Sequence, residues 1–326
     1  MNDTTTKDVL SVIVAEKLDR ATEGLLGAGQ RLAESLGGSH RVLTLNTLNP
    51  DDQETIKTRC HEIIAVTPSD LGTQTAEARL ALTQPICEET KPAAILFGND
   101  ISSQELPPRL AHRLGGSSIG DAQTITVQGG RLRVTRSVYG GQAVAIIELQ
   151  RTPAIIWVRA RAMAPAQPHA TPAAVNTVQP ASLEPAQTKL VSRHEESSEA
   201  ARLEEATLIV SGGRGLGGAE PFEELKELAN VIGAQMAASR AACDSGWAPH
   251  SWQVGQTGKK VAPELYLAIA LSGSSQHLMG ITDAKHIAAI NTDPDAPIFK
   301  HCRFGIVEDY RNVVGPLKEK LTALLG

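Results

Sequence analysis

QVGQTGKKVAPELYLAIALSGSSQHLMG, residues 253–280, holds one apolar run (265–271) between two turns rich in Gly, Ser, Thr and Gln. The run has the length of a buried strand, and the small residues after it suit the opening of a helix. A helix opening presents free backbone N–H groups, so Ser272, Gly273, Ser274, Ser275, Gln276 and His277 form an anion-receptive turn at a strand tip. The same turn also reads as an ordinary N-cap, and His277 as a satisfied structural histidine.

Working outward, TLIVSGGRGLGG (207–218) is a strand running into a glycine-rich loop that carries Arg214. Close backbone approach to an anion is one reading of that loop, and a plain tight turn is the other. PFEELKELANVIG (221–233) predicts a helix with Pro221 in its first turn and Gly233 at its end. AQMAASR (234–240) is a strand with Ser239 and Arg240 at its tip, HIAAIN ends at Asn291, and FGIVED ends at Asp309. Each strand delivers polar or glycine residues at its carboxyl end. In an open parallel sheet that edge is where ligands bind, and a dinucleotide has the reach to touch all five tips. ATP hydrolysis is disfavoured. Neither SGGRGLGG nor GQTGKK has the Lys-Ser/Thr spacing of a phosphate-binding Walker loop: Gln253 stands at the first glycine position and Lys260 at the Ser/Thr position.

Short β-rich runs at 9–16, 41–46, 61–67 and 93–98 alternate with helix-compatible segments such as 21–36 and 105–114. This rhythm predicts an N-terminal parallel α/β domain over residues 1–161. It closes in an antiparallel meander: a hairpin around Gly129-Gly130, then strands at 143–149 and 153–159. Residues 162–206 read as a Pro/Ala-rich linker and acidic connector with too little apolar content to pack. A Rossmann-like, doubly wound domain follows over 207–326. Cys243 reads as a small buried residue, and Trp247 and Trp252 as packing residues beside the site.

The 326 residues suffice for two domains with their own cores. Aromatics at 3% and a net charge of −5 without a basic block argue against nucleic-acid and anionic-membrane partners. No stretch approaches 18 apolar residues, so direct membrane insertion is not expected. The four scattered cysteines include no CxxC pair, which argues against a metal site and suits a reducing, cytoplasmic setting.

Taken in order, SGGRGL, ASRAACDSGW, QVGQTGKKVAPELY, SGSSQHLMG, INTDPDAPIF and the Asp309 tip resemble the α subunit of electron-transfer flavoproteins, densely over 207–318. VLSVIVAE, the 93–114 unit and TRSVYGGQAVA extend the resemblance more loosely into the N-terminal half. The chain departs from the family pattern at Ser274, Ser275 and Met279 and in its long proline-rich linker. The resemblance implies FAD in the C-terminal domain, contacted by Arg214, Ser239, Arg240, Val254, Gly255, Gln256, Thr257, Ser272 to His277, Asn291 and Asp309. It places Arg240 over the flavin ring, Gln256 and Thr257 near its N5 edge, and His277 near its O2 side. The SGSSQ turn would hold the diphosphate, and Asn291 and Asp309 the adenosine half. It further implies a heterodimer with an AMP-carrying β subunit. The function implied is carriage of single electrons from flavoprotein dehydrogenases to a membrane quinone oxidoreductase. An NADH-dependent electron-bifurcating complex is the alternative.

Overall fold

The computed structural model describes residues 6–15, 18–66, 75–98, 101–139, 143–159, 161, 163–179 and 203–325. They form two compact units, the first built on residues 1–138 and 144–193 and the second on 139–143 and 194–326.

The N-terminal unit is organised by a seven-stranded sheet in the order β10-β3-β2-β1-β4-β9-β5. Its strands are β1 (Val9–Ile13), β2 (His40–Thr44), β3 (Glu62–Val66), β4 (Ala94–Phe97), β5 (Ser117–Ala122), β9 (Ala154–Val158) and β10 (Ala174–Val178). Every pairing is parallel. Because side chains alternate across a strand, β1 sends Val9 and Ile13 to one apolar layer and Leu10 and Val12 to the other. Helices α1 (Arg20–Leu36), α2 (Pro50–Lys57), α3 (Ala76–Thr90), α4 (Ile101–Gln104) and α5 (Leu106–Leu114) connect the strands. The helix signals are local: Asp19 caps α1, whose chain then turns out through the left-handed Gly37.

The hairpin around Gly129 and Gly130 is present, both residues having positive φ, and joins β6 (Thr124–Gln128) to β7 (Arg131–Val138). With β8 (Ala143–Glu148) these form a separate three-stranded sheet. The meander was expected to continue into 153–159, and here the expectation is corrected. β9 instead enters the parallel sheet between β4 and β5, where Ala154, Ile155, Ile156 and Val158 are buried. A strand apolar on both faces belongs in a sheet covered on both faces.

The linker boundary is also corrected. Residues 163–178 lie on the N-terminal unit rather than outside it. Ala166 and Ala173 are buried, Gln30 holds both the N–H and the C=O of Gln167, and β10 adds an edge strand to β3. Small side chains allow this close contact, since a Cβ on Gly27 would come within 1.9 Å of the Ala164 carbonyl oxygen. The acidic connector expected at 195–205 falls largely outside the described residues.

The second unit holds five parallel strands in the order β12-β11-β13-β14-β15. These are β11 (Leu208–Gly212), β12 (Gln235–Ala238), β13 (Leu265–Ile269), β14 (His286–Asn291) and β15 (Phe304–Val307). Helices α6 (Pro221–Ile232), α7 (Arg240–Asp244), α8 (Ser275–Ile281) and α9 (Tyr310–Leu325) accompany them. Apolar layers on both sheet faces make this a doubly wound, Rossmann-like unit. Among the described residues no helix is long and apolar enough to cross a membrane.

Candidate functional site

β11 lies between β12 and β13, so the connections leaving β11 and β13 diverge to opposite sides of the sheet. That topology opens a crevice at their carboxyl ends. A cleft of about 770 Å³ lies there, lined by residues from all five strand tips. Its volume is within the range of small-molecule and cofactor sites, about 300–1,000 Å³. The glycine loop lets β11 and β13 close up at the base. The Gly213 N–H donates to Ile269 C=O at 2.9 Å, and a Cβ on Gly213 would sit 2.1 Å from the Ala270 carbonyl oxygen.

The two turns of the 253–280 stretch clasp one another. The Gln256 N–H donates to Gln276 C=O at 2.7 Å, tying the first turn to α8. A Cβ on Gly280 would lie 2.4 Å from the Gly255 nitrogen, so the contact is backbone against backbone. Gln253 Nε2 donates to Thr257 Oγ1 at 3.1 Å and closes the first turn on itself. The second turn is held from the other side, where the Ile298 N–H donates to Ser272 C=O at 3.0 Å. Ser274 makes no side-chain cap. Among the described residues, the N–H groups of Ser272, Gly273 and Ser274 meet no acceptor. Such unused donors facing a cleft suit an anion.

Of the residues singled out from sequence, Arg214, Ser239, Arg240, Val254 to Thr257, Ser272 to Ser274, Gln276, His277, Asn291 and Asp309 line this cleft. Ser275 does not; it opens α8 with an exposed side chain. Several are already engaged. Ser239 caps α7 through the Ala242 N–H. Asn291 donates to Leu271 C=O and accepts from the Asp293 N–H, so its amide shapes the wall between β13 and β14. Asp309 accepts the Arg311 N–H and pairs with its guanidinium at 3.0 Å; these contacts hold its carboxyl below the usual range. Arg240 is exposed, with 64% of its side chain accessible, and pairs with Asp244 at 3.3 Å.

His277 is the buried ionisable member of that set. Its Nε2 lies 2.9 Å from the Tyr266 hydroxyl, and its Nδ1 is buried with no hydrogen-bond partner. Burial lowers its pKa to about 4, opposed more weakly by the Val254 backbone, so the ring is neutral at pH 7. Cys243 is buried, and burial pushes its thiol up to about 11, so it stays protonated near pH 7. Trp247 and Trp252 pack against the core of this unit and are not part of the cleft lining.

Sequence reasoning missed Asp244, Asp293, Glu308 and Arg311 in the lining. Asp244 had a legible signal, standing one helical turn after Arg240. Tyr266 had none, being one apolar residue in an apolar run.

Residues 9–186 match the model of the electron transfer flavoprotein domain, and residues 202–282 that of the electron transfer flavoprotein FAD-binding domain. An electron transfer flavoprotein subunit alpha from Thermoanaerobacterium thermosaccharolyticum is 35% identical over 313 residues, covering 94% of this chain and 95% of that one. The chain belongs to the electron transfer flavoprotein alpha-subunit family. The alpha subunit of Bacillus subtilis is 33% identical over 316 residues, or 97% of both chains. A relative named Protein FixB, from Clostridium saccharobutylicum, is 33% identical over 92% of this chain and 91% of its own. The FAD-binding model thus matches the stretch that contains the glycine loop and both clasped turns, and ends before the Asn291 and Asp309 tips. An electron-transfer role follows for the alpha-subunit family.

Proposed function

We propose that the C-terminal unit binds one FAD in the strand-tip cleft. The chain, paired with a β subunit, would then carry single electrons from flavoprotein dehydrogenases to a membrane quinone oxidoreductase. The observation that carries this reading is the cleft itself: one continuous lining from five parallel tips, with free N–H donors at the SGSSQ turn and an orphaned buried nitrogen at His277. A long diphosphate-bearing ligand fits that donor set.

FAD would supply the redox chemistry; the chain supplies binding, orientation and charge. The backbone of Ser272 to Ser274 would hold the diphosphate. Arg214, Arg240 and Arg311 bring positive charge to a rim that also carries Asp244, Asp293, Glu308 and Asp309. His277 meets the ligand as a neutral donor or acceptor, never as a cation near pH 7. The N-terminal unit takes no cofactor in this reading and serves as the packing surface for the AMP-carrying β subunit. A permanent interface of that kind buries upwards of about 2,000 Å².

Co-expression with the β subunit tests the proposal. The expected product is a yellow heterodimer by light scattering, bleached by a flavoprotein dehydrogenase with its substrate and unchanged by NADH. Bleaching by NADH alone would move the assignment to a bifurcating complex. A stable, flavin-loaded monomer would remove the heterodimer.

A further inference from the structure

Tyr266 is the second residue of β13, fully buried, and belongs to the apolar layer of Ile209, Ala268, Ile281 and Ile287 rather than to the layer that holds Leu216 of the glycine loop. A buried phenolic O–H needs a partner. The one in hydrogen-bond range is His277 Nε2 at 2.9 Å, reached from the start of α8, with the two rings 6.0 Å apart and tilted by 58°. The hydroxyl of Ser211, also buried, is its other polar neighbour. Burial pushes the Tyr266 phenol up, so it keeps its proton.

A neutral imidazole carries one proton, and the hydrogen bond at one nitrogen decides which nitrogen holds it. A phenol is the better donor of the two groups, and an unprotonated ring nitrogen the better acceptor. The arrangement favoured at 2.9 Å is therefore Tyr266 O–H donating to Nε2, which leaves the ring proton on Nδ1. The Val254 backbone acts on the ring in the direction of an acceptor facing an N–H, without reaching hydrogen-bond geometry with Nδ1. Val254 and His277 both line the cleft.

We propose that Tyr266 is a positioning residue: its hydroxyl fixes the His277 ring as the Nδ1–H tautomer, so that the orphaned nitrogen donates a hydrogen bond to an acceptor atom of the cleft's occupant. That the occupant is FAD rests on the reading above; the tautomer does not. Without the phenol the ring is free to exchange its proton between nitrogens or to rotate, and the cleft loses a donor of fixed direction.

Long-range proton–nitrogen correlation spectra of the full chain, labelled with [15N]histidine and assigned with a His277→Gln variant, test this at pH 7. In the parent, His277 is expected as a neutral ring protonated on Nδ1. In Tyr266→Phe, which keeps the ring and its packing, the bias toward that tautomer falls by about fivefold, the population equivalent of one ordinary hydrogen bond. Adding FAD to the deflavinated parent in complex with its β subunit should shift the Nδ1–H resonance. A parent ring protonated on Nε2 or on both nitrogens overturns the proposal whatever the variant does, as does an unchanged tautomer ratio in Tyr266→Phe. Failure of FAD to bind the complex with the β subunit while the Nδ1–H tautomer is present would sink the cofactor assignment and leave Tyr266 in its role.

Discussion

Replacing Gly273 by alanine separates two reasons for a glycine at the heart of the cleft. Gly273 has φ +76°, where an alanine costs about 1–2 kcal/mol in backbone conformation alone. Its Cβ would also lie 2.5 Å from the Ile298 nitrogen and 2.6 Å from the Ile298 Cα, both backbone atoms that cannot swing away. Overpacking of that kind adds about 1–3 kcal/mol, for a total of about 2–5 kcal/mol. Gly217 is the control, with φ +83° and nothing within 4 Å of its Cβ, so only the conformational cost applies. Urea unfolding of both variants, followed by the fluorescence of Trp247 and Trp252, which pack against the core of this unit, measures the difference. Gly273→Ala should lose clearly more stability than Gly217→Ala, and should lose bound cofactor where Gly217→Ala keeps it. Equal losses, within about 0.5 kcal/mol, would mean that the second turn moves freely away from residues 297–300 and that the clasp does not shape the cleft.

Arg240→Ala should retain FAD and lower its first one-electron potential. A full charge at 4 Å is worth about 1 kcal/mol in a water-like surrounding, and exposure with the Asp244 pair keeps the effect near that, so about 20–60 mV is expected. Arg240→Lys should fall between, and a shift below about 10 mV in spectroelectrochemical titration would make the residue structural. His40 is fully buried against Ser11, and burial lowers its pKa to about 3, opposed by the Arg59 carbonyl and aided to a smaller degree by His61 and His169. The unfolded chain protonates His40 near 6.5 and so takes up the proton first; stability is full above that pH and falls toward pH 3, by at most about 1.4 kcal/mol per pH unit. Denaturant unfolding at pH 7.5, 6 and 5 should show this fall and a flatter one in His40→Asn; parallel slopes would acquit His40. Gln30→Ala removes both hydrogen bonds to the Gln167 backbone, and amide exchange across 163–178 should rise at least fivefold, at about 1 kcal/mol per bond; unchanged protection would mean that β10 and the His169 and Ala173 N–H bonds to Thr58 and Lys57 hold this segment without Gln30.

The parts legible in the sequence were those coded locally. β11 to β15 announced themselves as apolar runs ending in Gly, Ser, Asn or Asp, and α6 carried its own Pro221 start and Gly233 stop. Alternation alone could not place β9, because an apolar run reads the same in a meander as in a parallel sheet; its neighbours β4 and β5 decide. Segment 163–178 was misjudged because low apolar content rules out an independent core but not a strap. Gln30 on α1 and the edge of β3 supply the partners its own residues lack. In the cleft, lining residues at strand tips were readable, whereas Asp293 arrives through the turn after β14 and Arg311 on the first turn of α9, placements that no local pattern encodes. Tyr266 was hidden because its one polar atom matters only once α8 folds His277 over it.

The central claim is one FAD, seated at the carboxyl edge of the second sheet. The most direct test is cofactor mass and stoichiometry on the purified full chain with its partner, combined with amide exchange of the loaded and deflavinated forms. One FAD per chain is expected, with protection gained at 213–215, 239–240, 254–257, 272–277 and 308–309. FMN, two flavins per chain, or protection confined to the strands of the N-terminal unit would contradict it.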